Sequence, residues 1–414
     1  MNENVSYIVK NGLCTSCGIC VGICHKKCIS MNYGEYNNYP SINNNKCLNC
    51  GLCLKVCPGK GATLRQSGAD LFPSSNINPL CGRYLKSYVG YSTDAGIRYH
   101  SASGGVVSQF LIYLLQNKFI DGAVVVRYKE DNPFEPEPFI ATSKDEILAS
   151  KSSKYVIVSY DKVIDDIKNF DGKLAVVGLP CQIQGLRNAA KYSKIVRDRI
   201  VGYFGIYCSL NKTKSSIDYY SYRYKVNKKD VKSFSFRDDG CMGAMKFIGK
   251  NNKVLAKIPY LTYWNNTKSF FMNDRCSLCN DHFAELSDIS FGDIHIEPYS
   301  QDKIGISSLI VRKEQMEKLL DSCRKEGFLH LESIDIETLT SSQIYSKIYK
   351  KGAGLQAEFK IRKLFHKPNP VYDDIEPVQL QASNFIKNIS RWAMRSIGKR
   401  RFFWPLIVKL ENYE

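Results

Sequence analysis

The sequence predicts a mixed chain, α+β or α/β: a small cysteine-rich module, then a larger mixed α/β domain, then a basic helical tail. Three observations lead there. Nine of the 16 cysteines fall within the first 60 residues. From about Gly96 to Ser341, apolar runs of strand length alternate with amphipathic runs of helical length, the pattern of a mixed domain. After about Lys351 that periodicity weakens and the chain turns basic. At 414 residues the chain can hold two or three domains around a real core. The divisions expected are residues 1–65, a linker over 66–95, the main domain over 96–350, and the tail over 351–414.

Composition excludes several classes. With 44% hydrophobic and 24% charged residues, low complexity, collagen and coiled coil do not fit. No apolar stretch reaches the ~18 residues of a membrane span. Met1 to Leu13 has no apolar core of the secretory kind, so a cytoplasmic location is expected. In a reducing compartment, clustered thiols read as metal ligands rather than disulfides.

The first element is a doubled motif. Cys14-x2-Cys17-x2-Cys20-x3-Cys24 is followed by Cys47-x2-Cys50-x2-Cys53-x3-Cys57-Pro58. This is bacterial ferredoxin spacing, in which the fourth cysteine of each run serves the other cluster. One 4Fe-4S cluster is therefore expected on Cys14, Cys17, Cys20 and Cys57, and a second on Cys47, Cys50, Cys53 and Cys24. Three thiolates on a tight loop wrap three irons of a cube, and the fourth must come from elsewhere. Gly18 and Gly51 follow the second cysteine of each run, where backbone must approach closely. A pair of zinc sites is the alternative, but zinc rarely spaces its ligands this way. His25 stands where proline usually follows the last cysteine. Cys28, a ninth cysteine, is expected to be an ordinary thiol.

The main domain should contain buried strands at Ala123–Arg127, Leu174–Val177 and Ile306–Val311, and helices at Val106–Leu115 and Glu314–Lys325. Its first conspicuous stretch, Ser101-Ala102-Ser103-Gly104-Gly105, opens a helix. Such a turn offers backbone N–H groups to a phosphate, although serine is also simply a good N-cap. The second runs from Leu174 through Gly178-Leu179-Pro180-Cys181-Gln182 to Gly185-Leu186. It puts a thiol at a helix start beyond a strand, suited to a nucleophile or a metal ligand. No His or carboxylate stands nearby in sequence, which favours the ligand. The third is Arg275-Cys276-x2-Cys279-Asn280-Asp281-His282, running on to Glu285-Leu286-Ser287-Asp288 and Phe291-Gly292-Asp293. A CxxC pair needs two more thiols to hold a cluster, and Cys181 and Cys208 are the natural candidates. Cys81, Cys241 and Cys323 read as incidental.

Together these stretches resemble the beta-subunit family of coenzyme F420 hydrogenases and dehydrogenases, over roughly residues 80 to 340. Lys151-Ser-Ser-Lys154-Tyr155 also matches a family loop, more weakly. The resemblance implies a flavoprotein that binds FAD beside a further 4Fe-4S cluster and passes electrons between a hydride carrier and iron–sulfur partners. FAD rests on the resemblance alone, because the sequence has no G-x-G-x-x-G fingerprint. Carried over, Cys181, Cys208, Cys276 and Cys279 should ligate the third cluster. Cys208 departs from the family pattern in the residues that follow it, Ser209-Leu210-Asn211. Ser101, Ser103, Gly104 and Gly105 should touch the flavin phosphates, with Lys154 and Tyr155 as looser flavin or substrate contacts. No residue is singled out as catalytic. The expected partner is a hydride-carrying coenzyme or small-molecule substrate. The alternative is a non-catalytic electron-transfer subunit docking on a separate redox enzyme.

The net charge of +18 is spread along the chain, without nucleic-acid-binding motifs. It is read as a field that would steer an acidic electron carrier or partner redox subunit, with no nucleic acid expected. From Ser383 to Glu414 seven Lys/Arg stand against two Glu, interleaved with aromatics. Such a segment either packs on the core or makes peripheral contact with an anionic membrane.

Overall fold

A computed structural model describes residues 4–267 and 269–411; the outermost residues of the expected 1–65 and 351–414 segments lie outside them. Eight strands form the central sheet: β1 Lys86–Ser92, β2 Gly122–Tyr128, β3 Pro136–Ala141, β4 Leu174–Gly178, β5 Ile200–Ile206, β6 Ile289–Asp293, β7 Ser307–Val311 and β8 Leu329–Ser333. Their spatial order is β8-β1-β7-β6-β5-β4-β2-β3. The middle four, β2, β4, β5 and β6, run parallel, and antiparallel strands close both sides.

Near-continuous apolar text in the middle strands follows from burial on both faces. Adjacent residues point to opposite sides of the pleat. Val125, Phe204 and Phe291 face one core with Phe110, Leu111 and Leu114 of α1 (Val106–Gln116). Val124, Val176 and Tyr203 face the other with Ile183 and Leu186 of α2 (Pro180–Tyr192). Helix α3 (Glu314–Lys325) adds Met316 and Leu320 to the first core. The result is three layers, with the expected strands and helices within two residues of their places.

The segment expected as a linker over 66–95 differs. It holds most of the helix Leu64–Leu71 and all of β1, which lies between β7 and β8 inside the sheet. The reason is pairing across distance: Leu309 opposite Tyr88 and Leu331 opposite Gly90 form only when the chain returns more than 200 residues later.

The cysteine-rich module is a hairpin (Ile29–Tyr33 with Asn38–Ile42) and two short helices, each entered through a left-handed glycine. Gly18 has φ +79 and Gly51 φ +71. The module is docked rather than tethered. Ile19, Ile23 and Val56 join the second core beside Ile164 and Ile183.

The tail is helical, as its text suggests, and part of it packs on the core. It forms α4 (Ala353–Leu364), α5 (Ala382–Gly398) and α6 (Trp404–Glu411). Trp404 and Ile407 are buried in an aromatic cluster with Tyr219, Phe236 and Phe271. That cluster backs a three-stranded sheet of Val231–Ser235, Ala244–Gly249 and Val254–Pro259.

Candidate functional site

All sixteen cysteines are free. In the module, burial pushes the Cys20 thiol up, and the sulfurs of Cys57, Cys17, Cys14 and Cys53 add to it. Burial likewise raises Cys57, with Cys17 and Cys14 beside it. Cys57 thus stands with the first run rather than its own. Cys53 is raised by burial, against backbone hydrogen bonds that lower it, and faces Cys50 and Cys47. The Cys24 sulfur lies 3.4 Å from that of Cys28. Burial pushes Cys28 up to about 12, with Cys24 and Cys47 adjacent. The ninth cysteine is therefore a buried thiol wedged between two of the second group.

The remaining predicted thiols also meet. Cys181 lies half-buried at the start of α2, and burial is the main reason its thiol is raised. Cys17, Cys208, Cys279 and Cys276 surround it. The first of these belongs to the module. Backbone donors point at several sulfurs: Asn211 N–H to Cys276 Sγ at 3.3 Å, Gly59 N–H to Cys57 Sγ at 3.3 Å and Ser16 N–H to Cys14 Sγ at 3.4 Å. Buried thiols that push one another up cannot ionise together unless metal takes up the charge. The donor set therefore fits iron–sulfur cubes.

A cavity of about 300 Å³ opens at the carboxyl ends of β4, β5 and β6, where ligands gather in open α/β sheets. Ser101, Ser103 and Gly105 line it, as do Val106, Val107 and Ser108 at the start of α1. The first N–H groups of a helix have no acceptor within it. Gly104 is different: it is not among the lining residues, and its N–H donates to Ser307 Oγ at 2.9 Å. A Cβ there would stand 2.4 Å from Gly90 O, so packing against β1 accounts for this glycine. The Ser101 hydroxyl is likewise engaged, donating to Ile97 O at 2.6 Å.

Lys154 and Tyr155 line the same cavity. The Lys154 ammonium donates to the carbonyls of Ser150 (2.5 Å), Lys151 (2.8 Å) and Ser152 (3.2 Å). Burial, then the charge of Lys151, pulls it down to about 7. Its geometry ties its own loop together rather than reaching outward. Tyr155 joins Trp264 (ring centroids 4.7 Å apart) and Tyr260 (5.9 Å) in an aromatic wall.

Sequence reasoning missed three groups here. Arg237 is 1% exposed and pairs with Asp293, the last residue of β6, at 2.6 Å. Trp264 and Tyr260 come from a helix with no recognisable motif. His282 lines the cavity next to Cys208, whose N–H donates to the His282 carbonyl at 2.9 Å. Gln343 donates through Nε2 to Asp293 O and Ser342 Oγ, so its Oε1 accepts from His282 Nε2 at 3.2 Å. That assignment leaves His282 Nδ1 a bare acceptor, and it has no other partner among the described residues.

The sequence blocks around Cys181 and after Cys279 are joined directly. Arg187 of α2 pairs with Asp288 at 2.7 Å, and Asp288 also accepts the Tyr203 N–H at 2.8 Å. Glu285 of the same block pairs with Lys351 at 2.6 Å. His100, Asp238 and Asp239 form a carboxylate-rich group elsewhere, already neutralised by Lys246 and Lys257.

Comparison with known proteins bears on this arrangement. Residues 87–165 match the family description "Coenzyme F420 hydrogenase/dehydrogenase, beta subunit N-term", and residues 171–337 match its C-terminal counterpart. Residues 13–61 match a 4Fe-4S dicluster domain. A coenzyme F420-dependent sulfite reductase of Methanocaldococcus jannaschii is 32% identical over 236 residues. That alignment covers 56% of this chain but only 36% of the reductase. A coenzyme F420 hydrogenase subunit beta of Methanococcus voltae is 29% identical, covering 61% of this chain and 86% of that subunit. A chain of the F420-reducing [NiFe] hydrogenase complex from Methanosarcina barkeri shares the fold at a TM-score of 0.55 and 22% identity, over 70% of this chain and 96% of that one.

Proposed function

The chain belongs to the coenzyme F420 hydrogenase/dehydrogenase beta-subunit family, and from that membership we propose that it is an iron–sulfur flavoprotein oxidoreductase. It exchanges electrons between a hydride carrier or small substrate and 4Fe-4S clusters. One observation carries the reading: Cys208 lines the cavity, while Cys181, in the same thiol group, feels the charge of Cys17 in the dicluster module, whose Ile19 packs against Gly185 of α2. Cavity, third thiol group and module are therefore contiguous.

In this reading FAD occupies the cavity, and Cys181, Cys208, Cys276 and Cys279 hold a third cluster beside the two in the module. Bound there, the flavin turns a two-electron hydride into single electrons and the cubes carry them. The protein supplies position and environment. Ser103 and Gly105 of the turn and the first turn of α1 offer N–H groups to phosphate oxygens. Tyr155, Tyr260 and Trp264 give a planar ring a wall to rest on and keep water from it. The paired Arg237 is a fixed positive charge beside that wall, 4.7 Å from the Tyr260 ring centroid, and His282 Nδ1 accepts one hydrogen bond. Lys154 holds its loop in register instead of touching the ligand.

The same proposal includes an acidic electron carrier or partner redox subunit, favoured by the +18 charge. It also includes peripheral contact of the tail with an anionic membrane surface. Anaerobic purification tests the core of it. About twelve irons and about one flavin per chain are expected from three four-iron cubes beside one flavin. NADH, NADPH and reduced F420 are then offered in turn, and one should bleach the flavin. If flavin is bound and no soluble donor reduces it, the chain is instead an electron-transfer subunit of a separate enzyme. Recovery of about four irons, or of stoichiometric zinc, sinks the reading.

A further inference from the structure

Arg275 immediately precedes the CxxC pair and is 3% exposed. Its Nε donates to Leu13 O at 3.1 Å. Its Nη2 donates to Pro58 O (3.3 Å), Gly59 O (3.2 Å) and Tyr372 Oη (2.9 Å). Leu13 precedes Cys14, and Pro58 and Gly59 follow Cys57. Every carbonyl it grips therefore flanks a cysteine of the module's first group. Tyr372 completes the clasp by donating to Leu278 O, inside the CxxC turn, at 2.8 Å.

Two features of this clasp remain unexplained by packing. Nη1 is buried with no hydrogen-bond partner among the described residues. Among the described residues no carboxylate pairs with the guanidinium either: Asp274 and Glu358 pair with Arg395 instead, although a buried unpaired charge is strongly disfavoured. Besides Tyr372 and the like-charged Arg362, the groups coupled to its charge are sulfurs: Cys14 and Cys57 of the module, and Cys276 and Cys279 of the CxxC pair. A four-iron cube on four thiolates is anionic, which is the compensation this site lacks.

We propose that Arg275 is a positioning residue and counter-charge shared by two iron–sulfur sites: it clasps the CxxC turn onto the module, and its Nη1 donates to sulfur of a cluster beside it. It rests on the reading that Cys14, Cys17, Cys20 and Cys57, and Cys181, Cys208, Cys276 and Cys279, hold clusters. A nearby positive charge stabilises the reduced, more negative cube, so Arg275 holds the potentials of these two sites up. Its side chain makes no hydrogen bond to the loops that carry Cys24, Cys47, Cys50 and Cys53.

The test is a potentiometric titration of the holoprotein followed by electron paramagnetic resonance, with Arg275→Gln and Arg275→Lys. The Gln variant should lower two midpoints and leave the third in place. The Lys variant, which restores the charge without the fork, should recover most of the shift. In wild-type protein carrying guanidino-15N-arginine, pulsed resonance should detect a nitrogen coupling on a reduced cluster, and the Lys variant should weaken it. Full iron content with three unmoved midpoints in the Gln variant overturns the proposal. So does absence of the 15N coupling in wild type, a measurement that stands even if the Gln variant fails to load iron. Wild-type iron well below about twelve would instead refute the cluster reading itself, and this proposal with it.

Discussion

Gly18 shows how little room the cluster-bearing loops leave. A Cβ at this position would stand 2.3 Å from Ser159 Oγ and 2.5 Å from Asp161 N, at φ +79 where side chains are strained already. Gly18→Ala should therefore lift the first cysteine loop off residues 159–161. The expected loss is about four irons, counted by a colorimetric iron assay. Gly51 has the same φ sign but nothing within 4 Å of its Cβ, so Gly51→Ala should cost only about 1 kcal/mol of backbone strain and keep its iron. The Arg187–Asp288 pair belongs to the same scale. Asp288 is 2% exposed in its side chain, so Arg187→Ala leaves a buried carboxylate without its cation. A destabilisation of about 3 kcal/mol is expected, read as a lowered thermal midpoint of the holoprotein. Motif spacing revealed the cysteines and the glycines, because cluster geometry dictates both. It gave no role to Arg237, Arg275 or His282, whose partners are backbone carbonyls and residues far away in the chain.

Among the elements, α5 is built inside out. Its inward side carries charge: Arg395 bonds Asp274 at 3.2 Å and Glu358 at 3.5 Å, and Arg391 lies 4.4 Å from the Tyr349 ring centroid. Its outward side carries large apolar residues, with Ile386 66%, Ile389 54% and Trp392 62% exposed, beside the exposed Lys387 and Ser390. Phe402, beside Arg400 and Arg401, is 87% exposed. Binding to phosphatidylglycerol vesicles in a flotation assay is the expected outcome of the proposed membrane contact. It should fall at least tenfold in Trp392→Glu, and equal flotation on neutral vesicles would refute the electrostatic part. The amphipathic text of this helix was visible in the sequence, but which face looks inward was not. Asp274 and Glu358 come from elsewhere in the chain, and they turn the basic side toward the protein. The strand Lys86–Ser92 makes the same point, since its short and partly polar text becomes a sheet interior only through β7 and β8.

For the whole molecule, the contiguity of three thiol groups and one cavity makes separate losses measurable. Cys279→Ala should remove about one cluster's iron while leaving the module's signals in place; unchanged iron would show that the CxxC is not a ligand pair. Electron exchange with an acidic carrier should slow steeply as ionic strength rises from about 0.01 to 0.15 M, because a field from +18 charges is screened over that range. By itself the sequence determined the dicluster module, the central strands and helices, and the set of thiols available to a third site. Those features depend on spacing and local periodicity, which a chain carries wherever it goes. Tertiary structure alone decided that Cys181 feels the charge of Cys17, and that a buried guanidinium acts on two groups of sulfurs. Each is an interaction between segments tens to hundreds of residues apart, set by how the layers close over the core.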